Sequence, residues 1–435
     1  MDSKAILAAA ALFLLHGCAT KHDAPPQVVE PHFFKENIQR FSAQRYALAQ
    51  DISKTLNLPI PQEARDFFEA AISGDEAEIE TRTRALFTGD EIKTHNTIPG
   101  LANELWAPVQ EVFGLHGGFY NDWKNDAALL KMFYEPILNV MPSGSIYFGG
   151  SESGRFLITM MNELEGADVF CLTQNGLADQ RYPAYLRFAF GDKIWIPSTE
   201  DLSLAFREFV EDVQAGRRPN NGSITYLNGH VQVSGAYAVM EINSIIIKTI
   251  FDRNKDNHDF YIEESYPIAW MYPHLRPCGN IMKLEKEPLP TPRENPQLWN
   301  EIAGQDKAHW DPLEKALFAH NGFTDNLGAQ MAFAQLRSAI GGVYLWHGMT
   351  EEADGAFKQS VRMAPKLITE GGINVAILHM NARDYAKARK ILREFLTHDE
   401  HQEAARRLLA RIDEKEEADA ARNAILQGDA EQGAP

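Results

Sequence analysis

Apolar residues recur at the spacing of amphipathic helices over residues 32–141. The first run of this kind comprises Phe33, Phe34, Ile38, Phe41 and Tyr46. A second helix is predicted to begin at Pro61, because proline suits the first turn of a helix. Trp106 and other bulky apolar residues further along are predicted to lie in a core. We interpret this part of the chain as a helical N-terminal region without recognisable chemistry.

From Pro142 the pattern changes to short apolar runs that alternate with helical stretches. The predicted strands are 145–148, 168–173, 193–196, 260–262 and 281–284. The predicted helices between them are 156–164, one with Ser198 or Thr199 as its N-cap, and 235–251. Asn228-Gly229 predicts a hairpin turn. The alternation favours an open, mainly parallel, Rossmann-like α/β sheet over residues 142–290, called the α/β region below.

The C-terminal part carries small and aromatic residues at the spacing of a helical repeat. The residues that match the tetratricopeptide pattern are Gly341, Tyr344, Gly348, Ala353, Phe357 and Pro365. A degenerate second unit carries Leu378, Tyr385, Ala388 and Leu392, and residues 403–412 are predicted to form a capping helix. We therefore assign 291–325 as a connector and 326–412 as tetratricopeptide-like repeats. The charged, apolar-poor residues 413–435 predict a disordered tail.

The N-terminus combines Lys4 with an apolar run of 11 residues, from Ala5 to Leu15. This run is too short to span a bilayer, which needs about 20 residues, and it is typical of a signal peptide over residues 1–17. Leu15-His16-Gly17-Cys18 resembles the lipobox of bacterial lipoproteins, which implies acylation of Cys18 and a flexible tether over 18–31. The alternative is an ordinary cleaved signal with a chance cysteine. Since no aspartate follows Cys18, the resemblance implies the periplasmic face of the outer membrane in a Gram-negative host.

The amino-acid composition argues against some kinds of binding partner for this chain. The net charge is −18, from 60 acidic and 42 basic residues, which argues against nucleic acid and against binding to anionic lipid through charge. No motif calls for a cofactor or a metal ion. Cys171 and Cys278 lie in apolar, strand-like segments, so we expect two buried free thiols rather than a bridge between them.

The glycine-rich segment from Gly149 to Arg155 follows the first predicted strand. In open α/β sheets ligands bind beyond the carboxyl ends of strands, and glycines let backbone N–H groups approach an anion. We predict a ligand-binding loop in which Arg155 pairs with phosphate or carboxylate and Glu152 binds a sugar hydroxyl or a cation. The alternative is a tight turn in which Arg155 pairs with Glu152. A positive φ at Gly149 or Gly150 would make those glycines structurally necessary.

Two other predicted strands also end in polar residues: Thr173, Gln174 and Asn175 follow one, and Glu263 and Glu264 follow the other. If the strands are parallel, these groups lie at the same edge of the sheet as the glycine-rich loop. Paired carboxylates there suit acid–base chemistry or a metal, although a solvated pair is the simpler interpretation. The candidate ligand-binding residues are therefore Gly149, Gly150, Ser151, Glu152, Arg155, Thr173, Asn175 and Glu263.

Three further sequence patterns are weaker candidates for a functional site. The loop departs from the Gly-x-Ser-x-Gly nucleophile elbow, because Ser153 replaces the last glycine. His398 and His401 have helical spacing but lack other metal ligands. The aromatic segment 266–274 could stack on sugars, but we interpret it as a loop wedged against a core.

The α/β region resembles a known domain. Residues 144–156 read Gly-Ser-Ile-Tyr-Phe-Gly-Gly-x-Glu-x-x-Arg-Phe, and Thr173-Gln174-Asn175 and Tyr182-x-x-Tyr185-Leu186 follow. Together with the closing strands within 260–284, this order resembles the soluble C-terminal domain of a bacterial family of glycosyltransferase-like membrane proteins related to protein mannosyltransferases. The polytopic catalytic part of that family is missing from this sequence, so glycosyl transfer is not implied. The whole chain resembles exported lipoproteins that join such a domain to tetratricopeptide-type repeats.

Two hypotheses of function follow. The first is a binding or scaffold lipoprotein, with the α/β region holding a glycan-like or anionic ligand and the repeats holding a protein partner. The second is an enzyme that acts on envelope glycans through carboxylates at the edge of the sheet. The absence of a complete catalytic constellation in the sequence favours the first.

Overall fold

The structure is a computed structural model. It describes residues 33–86, 98, 100–116, 123, 126–151, 153–218, 224–227, 230–233, 235–263, 268–365, 373, 376–377, 379–380, 383–398 and 403–432. The described chain is mostly helical, with one mixed five-stranded sheet and a two-stranded sheet. It divides into two compact units, one before and one after the boundary between Leu289 and Pro290.

The first unit begins with helices, as the sequence predicts. They are α1 (Phe33–Leu56), α2 (Gln62–Ser73), α3 (Glu76–Leu86), α4 (Asn103–Gly114) and α5 (Ala127–Asn139). Pro61 precedes α2 as its N-cap residue, and Phe67 and Phe68 are buried on its inner face. Arg45 of α1 is buried and pairs with Glu111 of α4, so a charged contact as well as apolar packing joins these two helices.

The sheet contains β1 (Ile146–Gly149), β2 (Phe170–Thr173), β5 (Phe260–Ile262), β6 (Leu275–Cys278) and β7 (Ile281–Leu284), in the order β2-β1-β5-β7-β6. β1 is parallel to both β2 and β5, whereas β7 is antiparallel to both β5 and β6. All residues of β1 and β5 are buried, as expected for strands covered on both faces. The prediction of a mainly parallel sheet is therefore wrong for one half, because β6 and β7 form an antiparallel edge.

The remaining elements of this unit are the helices α6 (Ile158–Glu165), α7 (Arg181–Phe190), α8 (Thr199–Gln214) and α9 (Ala236–Asn254), and a hairpin of β3 (Ile224–Leu227) and β4 (His230–Val233). The predicted hairpin is confirmed. Ser198 caps α8 as predicted: its hydroxyl accepts the Asp201 N–H, and the Asp201 carboxylate accepts the Ser198 N–H.

The strand predicted at 193–196 does not form. Ile194 and Ile196 are buried, but no strand pairs with this segment. Instead, the Asn254 side chain accepts the Trp195 N–H at 2.8 Å and donates to the Trp195 carbonyl at 3.0 Å. A single amide side chain thus takes the place of a neighbouring strand, which an apolar pattern cannot reveal.

The cysteines follow the prediction only in part. Cys171 lies in β2 as a buried free thiol, and burial raises its pKa far above the ordinary range. It therefore forms no bridge to Cys278. Cys278 is buried at the end of β6 but is disulfide-bonded, so the prediction of a free thiol is wrong for that residue.

The second unit begins with a long helix, α10 (Pro296–Ala319), where a connector was predicted. Its helices α11 (Leu327–Trp346) and α12 (Thr350–Met363) pack against each other. Gly341 permits this packing, because a Cβ atom at this position would lie 2.6 Å from the Phe357 ring. Tyr344, Ala353 and Phe357 are buried as predicted.

The last two helices are α13 (Tyr385–His398) and α14 (Glu403–Gln432). Ala388, Leu392, Leu408 and Ile412 are buried in one apolar cluster, as the repeat pattern predicts. Helix α14 extends through the segment predicted as a tail, up to Gln432. Among the residues that the structure describes, no helix is both long and apolar enough to cross a bilayer.

Candidate functional site

Parallel pairing places the predicted polar residues at one edge of the sheet. Gly149 of β1 lies in register with Thr173 of β2, and Ile262 of β5 lies in register with Phe148. The glycine-rich loop, the end of β2 and Glu263 therefore meet beyond the carboxyl ends of three parallel strands. This is the edge at which open α/β sheets bind ligands.

Glu263 does not face this edge as an open carboxylate. It is 2% exposed, and its carboxylate accepts the N–H groups of Gly150 at 2.9 Å and Ser151 at 3.1 Å, together with the Ser151 hydroxyl. Burial raises the pKa of Glu263, while the hydrogen bonds from Ser151 and Gly150 act in the opposite direction. The prediction that Glu263 contacts a ligand is therefore corrected: its oxygens hold the glycine-rich loop.

The loop needs its glycines for close approach and not for a positive φ. Neither Gly149 nor Gly150 is among the glycines with positive φ. A Cβ atom on Gly154 would lie 1.6 Å from Glu263 Oε2, and one on Gly149 would lie 2.8 Å from the Gly154 carbonyl oxygen. The loop therefore wraps closely around a buried carboxylate, and then enters a π-helical turn over Ser153–Leu157 that leads into α6.

Three of the candidate residues share one cavity at this edge. Arg155, Thr173 and Asn175 line a space of about 250 Å³. The Asn175 side-chain amide donates to the Gly150 carbonyl at 3.2 Å, which joins the end of β2 to the loop. The Tyr182 hydroxyl accepts the Thr173 N–H at 2.8 Å and stabilises the same strand end.

The opposite wall comes from helices that the sequence did not connect with the site. Trp106 and Gln110 of α4 and Arg181 of α7 also line the cavity. The Arg181 guanidinium lies 4.4 Å from the centre of the Trp106 ring and forms an ion pair with Asp179. Trp106 was predicted only as a core residue, and no local signal linked it to a loop almost 50 residues later in the sequence.

The cavity is lined by the guanidinium groups of Arg155 and Arg181, the carboxylates of Glu111 and Asp179, amide groups and an aromatic ring. The half-buried Arg155 guanidinium lies 4.5 Å from the centre of the Phe156 ring, so its carbon face is packed. Guanidinium groups bind carboxylate and phosphate through paired hydrogen bonds, and the amides of Asn175 and Gln110 suit hydroxyl groups. The arrangement therefore suits a small anionic or sugar-like ligand.

Other candidates do not join this cavity. Glu152, Glu264 and His401 lie outside the described residues, as does the side chain of His398. The Ser151 hydroxyl donates to Glu263, so it is not set against a histidine as a nucleophile. In the aromatic segment, Trp270 packs against Phe251 with ring centres 5.5 Å apart, which confirms the core interpretation for that ring.

No protein-family model, curated protein or solved structure shows a significant match to this chain.

Proposed function

We propose that this chain is a membrane-anchored binding protein of the cell envelope. Its α/β region would hold a small glycan-like or anionic ligand, and its C-terminal helices would hold a protein partner as tetratricopeptide-like repeats. The observation that carries the proposal is the shared cavity of Arg155, Thr173 and Asn175 at the edge of a sheet.

Binding is favoured over catalysis by the position of Glu263. Most enzymes that hydrolyse glycans use a pair of carboxyl groups that face the substrate. Both oxygens of Glu263 accept hydrogen bonds from the glycine-rich loop, which removes this carboxylate from the candidate acids and bases.

The anchor belongs to the same proposal. Acylation of Cys18 would hold the folded units at a membrane, on the periplasmic side of the outer membrane if the host is Gram-negative. Residues 18–31 would serve as the tether. Two or three acyl chains give a stable anchor, whereas one chain binds only marginally.

The ligand site is tested by a thermal-shift screen of the purified protein against inorganic phosphate, sugar phosphates and neutral monosaccharides. We expect at least one anionic or sugar probe to raise the melting temperature. Arg155→Ala should abolish that shift and change the melting temperature of the unliganded protein only slightly, because Arg155 is half-buried. Arg207→Ala, an exposed arginine of α8 outside the cavity, is the matched control and should keep the shift.

Two outcomes of this screen would contradict the proposal. If Arg155→Ala lowers the melting temperature strongly and leaves the ligand shift intact, Arg155 is a structural residue. If no probe shifts the parent protein, the α/β region loses its role in binding.

A further inference from the structure

A second and larger cavity lies in the C-terminal unit, between α10, α11 and α12. Its volume is about 500 Å³. The Gln359 side-chain amide donates to Asp311 at 3.0 Å, and Arg362 binds Glu314 at 2.8 Å. Both pairs join α10 to α12 with the same sequence separation of 48 residues, so the two helices run parallel and in a fixed register.

Each of the two helices has a glycine one to two helical turns before these contacts. Gly304 of α10 and Gly355 of α12 both line the cavity, and a Cβ atom at either position would meet nothing within 4 Å. Glycine inside a helix is destabilising relative to alanine, so a glycine that no packing contact requires needs another reason. Gly341 differs, because Phe357 occupies the space that its side chain would need.

The cavity has a buried polar floor on α11. Arg337 is 5% exposed and donates to both carboxylate oxygens of Asp306, at 2.9 and 2.8 Å, and to Gln359 at 2.7 Å. Tyr344 is 1% exposed, and its hydroxyl has no aligned hydrogen bond within the described part of the chain, although Asp306 lies near it. The floor therefore contains a satisfied ion pair and a hydroxyl group able to accept a hydrogen bond.

Most of the charged lining residues that form no ion pair within the described part of the chain are acidic. Three basic residues on the lining are bound to carboxylates: Arg337 to Asp306, Arg362 to Glu314, and Lys358 to Asp354. The charged lining residues without an ion pair among the described residues are Lys307, Asp311, Glu351 and Glu352. The lining has four acidic and four basic residues, and with Asp354 and Glu314, which pair with Lys358 and Arg362 from outside it, six carboxylates surround four cationic groups.

We propose that this cavity binds an ammonium or guanidinium group carried on an aliphatic stem. The slim stem would pass between the glycine faces of α10 and α12, and the cation would meet Glu351, Glu352 and the Tyr344 hydroxyl. A lysine or arginine side chain of a partner segment and a free polyamine share this chemistry. The inference rests on the proposed partner-binding role of the C-terminal unit, and it is independent of the cavity around Arg155.

The test measures binding of hexalysine, spermidine and hexaglutamate to the purified protein by calorimetry. We expect hexalysine or spermidine to bind and hexaglutamate not to bind. The part of the binding that Gly355→Leu removes identifies the source of the cation: a peptide if that part is tighter for hexalysine than for spermidine, and a polyamine in the reverse case. The double variant Glu351→Gln/Glu352→Gln should weaken binding at least tenfold. Glu301→Gln, an exposed change on α10 outside the lining, should leave it unchanged.

A second variant locates the site without a change of charge. Gly355→Leu places a side chain in the open cavity and improves helix propensity. It should abolish binding of the cationic probe without lowering the melting temperature, and Gly355→Ala should keep most of the affinity. Since a chain of net charge −18 attracts hexalysine at many places, loss of binding in this uncharged substitution is the decisive result.

Three outcomes overturn the proposal. Equal binding of hexalysine by the parent protein and by Gly355→Leu shows that the cation binds elsewhere. Binding of hexaglutamate alone keeps a partner-binding role for the unit but reverses the chemistry proposed here. Binding of no probe removes the cation site, while the thermal-shift result at Arg155 stands or falls separately.

Discussion

At the scale of the residue, Glu263 shows how a buried charge can shape a loop. An ionised carboxylate away from water is costly unless hydrogen bonds replace its hydration. The N–H groups of Gly150 and Ser151 and the Ser151 hydroxyl provide these bonds. The loop conformation thus follows from satisfying Glu263, and Gly154 is required because it packs directly on the carboxylate.

A methyl group at position 154 tests this account. In Gly154→Ala the new Cβ atom would lie 1.6 Å from Glu263 Oε2, which the loop holds in place. We expect a loss of about 2–3 kcal/mol in the free energy of unfolding, as for overpacking in a core. Denaturant unfolding measures it. Gly304→Ala, in open space within α10, is the control and should be neutral or stabilising; equal stability of both variants would show that the loop yields easily.

His116 provides a prediction about pH. Burial lowers its pKa to about 4, from an ordinary value of 6.5. Between these values the unfolded chain binds a proton that the folded chain does not, so stability falls as pH is lowered through this window. The loss should be about 1 kcal/mol between about pH 7 and 5.5.

The measurement is the difference in unfolding free energy between the parent protein and His116→Leu at several pH values. The difference isolates His116 from the buried carboxylates, whose pKa values are raised by burial. His320→Gln serves as the control histidine. A parent and a His116→Leu variant with parallel pH profiles would contradict the prediction.

Sequence alone indicated part of the ligand site. The glycine-rich loop, Arg155 and the end of β2 were found because each stands at the end of an apolar run. The sequence singled out Glu263 but did not predict that it holds the loop, because its contact with Ser151 spans 112 positions. Trp106 and Arg181 were missed as site residues, because helix packing brings them to the loop and no local pattern encodes that packing.

At the scale of the element, apolar patterns predicted strands where a neighbouring strand is available. They failed at residues 193–196, where Asn254 binds the backbone in place of a strand. Helix α14 also extends into the segment predicted as a tail, where Asp413 and Glu416 bind Arg389 of α13.

The helix pair α11–α12 provides a prediction at this scale. Tyr344 is 1% exposed, so Tyr344→Ala removes a buried ring and should cost about 3 kcal/mol or more. Thermal or denaturant unfolding measures the loss. Met331→Ala on the same helix removes a side chain that is 43% exposed and should cost less than about 0.5 kcal/mol. Similar costs for the two variants would show that α11 and α12 are not held by this core.

At the scale of the whole molecule, the acylation of Cys18 and the state of Cys278 are linked. The chain has three cysteines, and Cys171 is a buried free thiol. Acylation would occupy the Cys18 sulfur in a thioether, and a thioether forms no disulfide. Cys278 is disulfide-bonded, so acylation of Cys18 predicts that the partner of Cys278 is a cysteine other than Cys18. A lipid anchor and a bond between Cys18 and Cys278 exclude each other within one molecule.

Replacement of Cys18 tests the anchor. Cys18→Ser should abolish labelling with a fatty-acid analogue and release the protein into the soluble envelope fraction, because the acyl chains supply the membrane affinity. Cys171→Ser, at a buried thiol, is the matched control and should retain both label and membrane. Mass spectrometry of the mature parent protein should show an acylated N-terminal cysteine. A parent chain with an unlabelled Cys18 disulfide-bonded to Cys278 would overturn the anchor and leave the two cavities as the basis of function.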